Sequence, residues 1–124
     1  MTTLLLVAAG SGLGGAARYM LGTAVARHLG AGFPWGTFVV NLSGCFLIGL
    51  LFGALGSGPM LQHAPPLEQA AAFGFLGGYT TFSTYSIEAV SLYREGALVA
   101  AAVYVFGTFL ACIAALLLGV VCVR

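Results

Sequence analysis

The sequence contains no lysine and no aspartate, and only 6% of its 124 residues are charged. A water-soluble domain usually carries about 25% charged residues, so this composition excludes an ordinary soluble globule. Acids are confined to Glu68, Glu88 and Glu95, and none precedes Glu68. Cysteine and histidine are nearly as sparse. Cys45, Cys112 and Cys122 show no metal-ligand spacing and read as small packing residues, while His28 and His63 fall in separate loops, so no histidine metal site is expected.

What is present is apolar surface, 60% of the chain. Runs of about 20 apolar residues mark membrane helices, and four are legible: Thr2–Val25, Trp35–Leu55, Leu67–Ile87 and Ala97–Val123. They predict an all-α membrane protein with a single four-helix domain over residues 1–124. The first run lacks a basic start and is too long for a secretory leader, so no cleavage is expected. The connections Ala26–Pro34, Gly56–Pro66 and Tyr93–Gly96 are short and leave no room for an extramembrane catalytic domain.

Orientation follows the excess of Lys and Arg in cytoplasmic loops. Arg124 lies on the side of the two termini, Arg27 and Arg94 on the opposite side, with Arg18 near that end of its span. So weak a bias is compatible with insertion in either orientation, and also with fixed insertion on a faint signal.

Two motifs mislead. Gly10-Ser11-Gly12-Leu13-Gly14-Gly15 satisfies G-x-G-x-x-G, but that dinucleotide fingerprint requires a preceding strand and an acid about 20 residues later. Small residues four apart (Gly10 and Gly14, or Gly12 and Ala16, with Gly49 and Gly53 in the second span) instead let helices approach closely in lipid. Asn41-Leu42-Ser43 matches a glycosylation sequon inside a span, where no transferase reaches.

The informative segment is Tyr79-Thr80-Thr81-Phe82-Ser83-Thr84-Tyr85-Ser86, with seven hydroxyls and no charge. A hydroxyl in an apolar medium without a partner costs roughly 2 to 7 kcal/mol, so the cluster must meet protein, water or an ion. Just before it, Gly74, Gly77 and Gly78 weaken a helix by about 1 kcal/mol each relative to alanine. They predict a break, which at membrane depth survives only beside a cavity or protein; close helix crossing is the plainer alternative. Thr81, Tyr85 and Glu88 share one helical face, as do Thr37 and Asn41 in the second span and Tyr104, Thr108 and Cys112 in the fourth. Such stripes also serve as interhelical glue at about 0.6 kcal/mol per contact. Asn41 stands apart because its amide offers two donors to a dehydrating anion. Arg18 either snorkels to the interface or faces a vestibule. Glu88 is either functional or a partner for Arg18 or Arg94.

Gly14-Gly15-Ala16-Ala17-Arg18-Tyr19, Gly36-Thr37-Phe38-Val39-Val40-Asn41-Leu42-Ser43-Gly44 and Gly74-Phe75-Leu76-Gly77-Gly78-Tyr79-Thr80-Thr81-Phe82-Ser83-Thr84 together resemble the Fluc/CrcB fluoride channels. The resemblance extends over nearly the whole chain. It implies a channel, not an enzyme: an antiparallel dual-topology homodimer in the inner (cytoplasmic) membrane, multi-pass, with two pores that release cytoplasmic fluoride passively. It also implies a structural sodium ion held by the backbone carbonyls of Gly77 and Thr80 from each subunit. Asn41 and Phe82 then serve the anion path, with Tyr85 standing where the family places a second phenylalanine. Ser83, Thr84, Tyr104 and Thr108 match its polar track; Glu88, as an acid at membrane depth, is counted with the same anion path, and Arg18 is a vestibule candidate. Fluoride, a second copy and the bilayer are the expected partners, and nucleic acid is not.

Fluoride is strongly hydrated, and hydroxyls, amides and ring edges replace its water without a permanent tight site. A dual-topology multidrug exporter is the alternative within transport, but it needs a carboxylate in the first span. A non-transporting assembly subunit is the alternative outside transport, and it leaves the seven hydroxyls without a task.

Overall fold

The computed structural model describes residues 1–55 and 62–123. Most of the expected Gly56–Pro66 loop, and Arg124 from the charge balance, lie outside the described residues. The described residues hold helices and no strand. Helix α1 is Thr2–Leu29 and ends at Gly30, whose φ of 86° turns the chain out of the helix. It runs past Val25, so Arg27 and His28 occupy its last turn rather than a loop, where positive charge complements the helix dipole. Helix α2 is Trp35–Leu55.

The third helical run, α3, covers residues 66–79. Pro66 opens it at a position that needs no amide donor. An α turn, Pro66–Gln69, leads into a π-helical stretch, Ala70–Leu76, and a last turn, Gly77–Tyr79. Thr80 (φ −74°, ψ 156°) and Thr81 (φ −147°, ψ 121°) are extended. Helix α4, Phe82–Arg94, begins immediately afterwards, and α5, Leu98–Cys122, follows a turn at Gly96. By length and composition α1, α2 and α5 are each sufficient to cross a membrane.

Many large apolar side chains point outward, while the interior holds polar and small residues beside a few large ones such as Leu76 and Tyr104. Leu13, Phe106, Leu110 and Leu118 are exposed; Thr37, Asn41, Thr81 and Thr108 are buried. That inversion suits a lipid surround, where packing and interhelical hydrogen bonds rather than water exclusion hold helices together.

Glycine sets several helix pairs, α1 with α2 at Gly22 and Gly36 among them, and two others bear on the site. On α1, a Cβ at Gly14 would collide with the Phe75 carbonyl and one at Gly10 would lie 2.8 Å from the Ala70 carbonyl; from α3, Gly74 and Gly78 meet Val7 and Ser11 in return. Gly12 has nothing near it, so of the two small-residue pairs in α1 the interface within the protomer uses Gly10 and Gly14. The second pair is α2 with α5. These run parallel in a fixed register: Gly49 meets Leu116, Gly53 meets Val120, and each preceding turn aligns Cys45 with Cys112, Asn41 with Thr108, and Thr37 with Tyr104.

Candidate functional site

The extended residues between α3 and α4 are held by one side chain. The Asn41 Nδ2 donates to the Thr81 carbonyl at 2.9 Å, and the Thr81 amide donates to Asn41 Oδ1 at 2.8 Å. The amide thus imitates a strand partner and satisfies two backbone groups that would otherwise be buried unpaired. One of its two N–H donors is spent in this way, leaving one.

Thr81 then starts α4. Its Oγ1 accepts from the Thr84 amide at 3.2 Å, the usual service of an N-cap threonine, while its hydroxyl reaches Thr84 Oγ1 at 3.1 Å and Ser83 Oγ at 3.2 Å. Thr81, which the sequence presented as one hydroxyl among seven, is therefore the residue that orders the cluster. The signal available for it was a threonine next to the residues that begin a helix.

The backbone around Gly77 is altered by the same bond. In a continuous helix the Thr81 N–H would reach the Gly77 carbonyl, but it is turned to Asn41, and among the described residues no hydrogen bond reaches that carbonyl. Gly77 is exposed, and a Cβ there would find only the Ala72 carbonyl, at 4.0 Å. The Thr80 carbonyl accepts from Arg18 Nη1 at 3.3 Å. Arg18 thus lies against the break, and it does not pair with Glu88.

Two cavities meet at Thr81. The larger, about 600 Å³, includes Arg18, Thr37, Thr84 and Glu88 in its wall. The smaller, about 240 Å³, has Asn41, Phe82, Tyr85 and Thr108, with Cys45 and Cys112 further along. Thr80 belongs to the smaller cavity and Thr81 to both. Ser83 and Tyr104 line neither.

Glu88 is fastened from two sides, by Thr37 Oγ1 at 3.0 Å and by the Tyr104 hydroxyl at 2.7 Å. Tyr104 is fully buried, and the Phe33 ring meets it edge-on at 5.4 Å. Tyr85 lies 5.2 Å from Tyr104, ring centre to ring centre, and its hydroxyl donates to the Val105 carbonyl at 2.8 Å. Phe82 packs 5.6 Å from Tyr85 yet is 80% exposed at the start of α4.

Thr108 differs from every other hydroxyl in the interior. It is 3% exposed, faces the smaller cavity, and its Oγ1 has no hydrogen-bond partner among the described residues. A buried hydroxyl left so costs about 1 to 3 kcal/mol. The smaller cavity therefore combines an unspent donor, one remaining Asn41 N–H and three aromatic rings, those of Phe82, Tyr85 and Phe109, with no charged side chain in its wall. Such a site suits brief contact with a small acceptor better than tight capture.

Comparison with known proteins gives one consistent result. The family model described as CrcB-like protein, Camphor Resistance (CrcB), matches residues 5–120. The fluoride-specific ion channel FluC of Rhodospirillum centenum is 43% identical over 124 residues, covering 100% of this chain and 97% of that one. FluC of Solibacter usitatus is 52% identical over 92 residues, 74% of each chain. FluC of Agrobacterium fabrum is 40% identical over 119 residues, 96% of this chain and 94% of the relative.

Proposed function

Since the chain belongs to the CrcB family, whose model matches residues 5–120, we propose that it is a fluoride-specific channel, a conduit rather than an enzyme, that releases fluoride passively from the cytoplasm across the inner membrane. The observation that carries this reading is the Thr108 hydroxyl, buried and unpartnered beside Asn41 and Phe82. A donor kept in that condition has a use only when an acceptor passes.

The path begins in the larger cavity, where Arg18 supplies positive charge and raises the local anion concentration. The hydroxyls of Thr84 and Ser83 stand at the start of α4, next to the shared wall at Thr81. In the smaller cavity the ion leaves its water for the Thr108 hydroxyl, the second Asn41 N–H and the positive edge of the Phe82 ring. None of these carries a full charge, so the ion is desolvated without being trapped. Tyr104 and Thr37 hold Glu88 at the border and keep its carboxylate from swinging into the path. Tyr85 keeps its ring beside Phe82 while its hydroxyl is occupied with α5.

Residues 66–79 and α4 together form the third span, broken at Thr80–Thr81. The protein works as an antiparallel, dual-topology homodimer with two pores, which accounts for the outward-facing Phe82 ring and the bare surface at Gly77. A sodium ion fits the break: unwound backbone carbonyls are the ligands that membrane proteins offer to Na⁺. Gly77 has a carbonyl that no hydrogen bond reaches, and the Thr80 carbonyl keeps a lone pair beyond the one that Arg18 uses. Gly77 and Thr80 would hold the ion, which when bound supplies charge to offset the converging carbonyl dipoles.

Purified protein in liposomes tests the reading, with fluoride efflux recorded beside chloride efflux and transport of a cationic dye. Fluoride efflux alone is expected; proton-driven dye transport would sink the proposal. Phe82→Ile is expected to abolish the flux while the protein still assembles, and undiminished flux in that variant removes Phe82 from the pore.

A further inference from the structure

Cys45 and Cys112 are adjacent in the fold although 67 positions separate them in the chain. The α2–α5 register, fixed one turn further on where Gly49 meets Leu116, sets Cys45 opposite Cys112 across the seam, on the wall of one cavity. Both are free and both are half-buried. The pairing is thus set by backbone rather than by a convenient rotamer.

We propose that Cys45 and Cys112 together form a binding site for a soft divalent cation that takes two thiolates, Hg²⁺ being the plainest case, reached through the cavity they share with Asn41 and Thr108. Sulfur ligands select soft metals, and binding requires the thiolate, so metal uptake releases protons. In this step two S–H bonds break, two S–Hg bonds form and two protons leave to water, with no change of oxidation state. The product carries no net charge, which matters at membrane depth where an uncompensated charge is expensive. A monovalent soft ion would leave the complex anionic. Zinc would need two further ligands, and among the described residues no group of three or more His, Cys, Asp or Glu exists. The site stands on the thiol pair alone and does not depend on the channel reading.

The full-length protein with Cys122→Ser, which leaves only the pair, is exposed to mercuric chloride, challenged with an excess of a monothiol and desalted. Bound mercury is measured by elemental analysis. One Hg²⁺ per protomer should be retained, and Cys45→Ser or Cys112→Ser should weaken retention about 100-fold or more, because the second thiol of a pair acts at high effective concentration. Equal retention by the single-thiol variants, or none by the pair, overturns the site. A second measurement needs neither of those variants: after mercury loading, alkylation and mass spectrometry should find Cys45 and Cys112 both protected, and protection of only one overturns it equally.

Discussion

Asn41 shows how a single side chain can carry several duties. By bonding both the amide and the carbonyl of Thr81 it holds the break open, frees the Gly77 carbonyl and positions the Thr81 cap. Asn41→Ala leaves two buried backbone groups unpaired at about 1 to 3 kcal/mol each. A large fall in the thermal unfolding midpoint in detergent is therefore expected together with loss of fluoride flux; loss of flux with the midpoint unchanged would contradict the pinning role. Tyr85→Phe is milder. It deletes one hydrogen bond to the Val105 carbonyl, worth about 1 kcal/mol, and should lower the midpoint slightly while fluoride efflux is kept. If efflux disappears, the Tyr85 hydroxyl belongs to the path rather than to packing. Chemistry at this scale was partly legible from residue types: Asn41, Phe82, Tyr85 and Thr108 do line one cavity. The partners were not, because a hydroxyl's role depends on which groups across the fold are already satisfied, and Thr37, Thr81 and Thr108 look alike in a sequence.

At the scale of helices, apolar runs and glycine spacing were informative because bilayer thickness and close packing act through local composition. Gly10, Gly14, Gly49 and Gly53 all sit at close helix crossings whose existence their spacing announced. The divided course of residues 66–94 was harder to foresee. Two glycines suggested an interruption at Gly77–Gly78, yet helical geometry continues to Tyr79 and the extended residues are two threonines. Gly78 is instead needed for contact with Ser11 on α1, so crossing and interruption share one segment at neighbouring positions. A pair of substitutions separates packing glycines from free ones. Gly49→Leu should prevent folding, since even a Cβ would collide with the Leu116 carbonyl. Gly107→Ala meets no atom within 4 Å and should leave the unfolding midpoint unchanged or raise it, alanine being better in helices by about 1 kcal/mol. If Gly107→Ala breaks assembly without unfolding the protomer, Gly107 faces the second copy.

For the whole molecule, charge is so scarce that orientation rests on a few arginines. Dual insertion predicts that a variant keeping only Cys122, with Cys45→Ser and Cys112→Ser, is labelled by an impermeant thiol reagent to about half of its total in intact cells, as the weak basic asymmetry implies. Labelling of all or none would show a single orientation. The proposed second copy has no signature in composition: the exposed Phe82 ring and the uncovered Gly77, which such a copy would cover, become visible only once the chain is folded.

The parallel seam of α2 and α5 carries one more consequence. Each turn is occupied by a different kind of contact, from hydroxyls at Thr37 and Tyr104 through thiols to bare backbone at Gly49, so sliding by one turn or rotating either helix would mismatch every level at once. The seam is a stator. Whatever rearranges as an ion passes must therefore do so on the opposing wall, in the rings of α4 and the two threonines before it, and labels placed along α2 and α5 should register no movement between conducting and blocked protein.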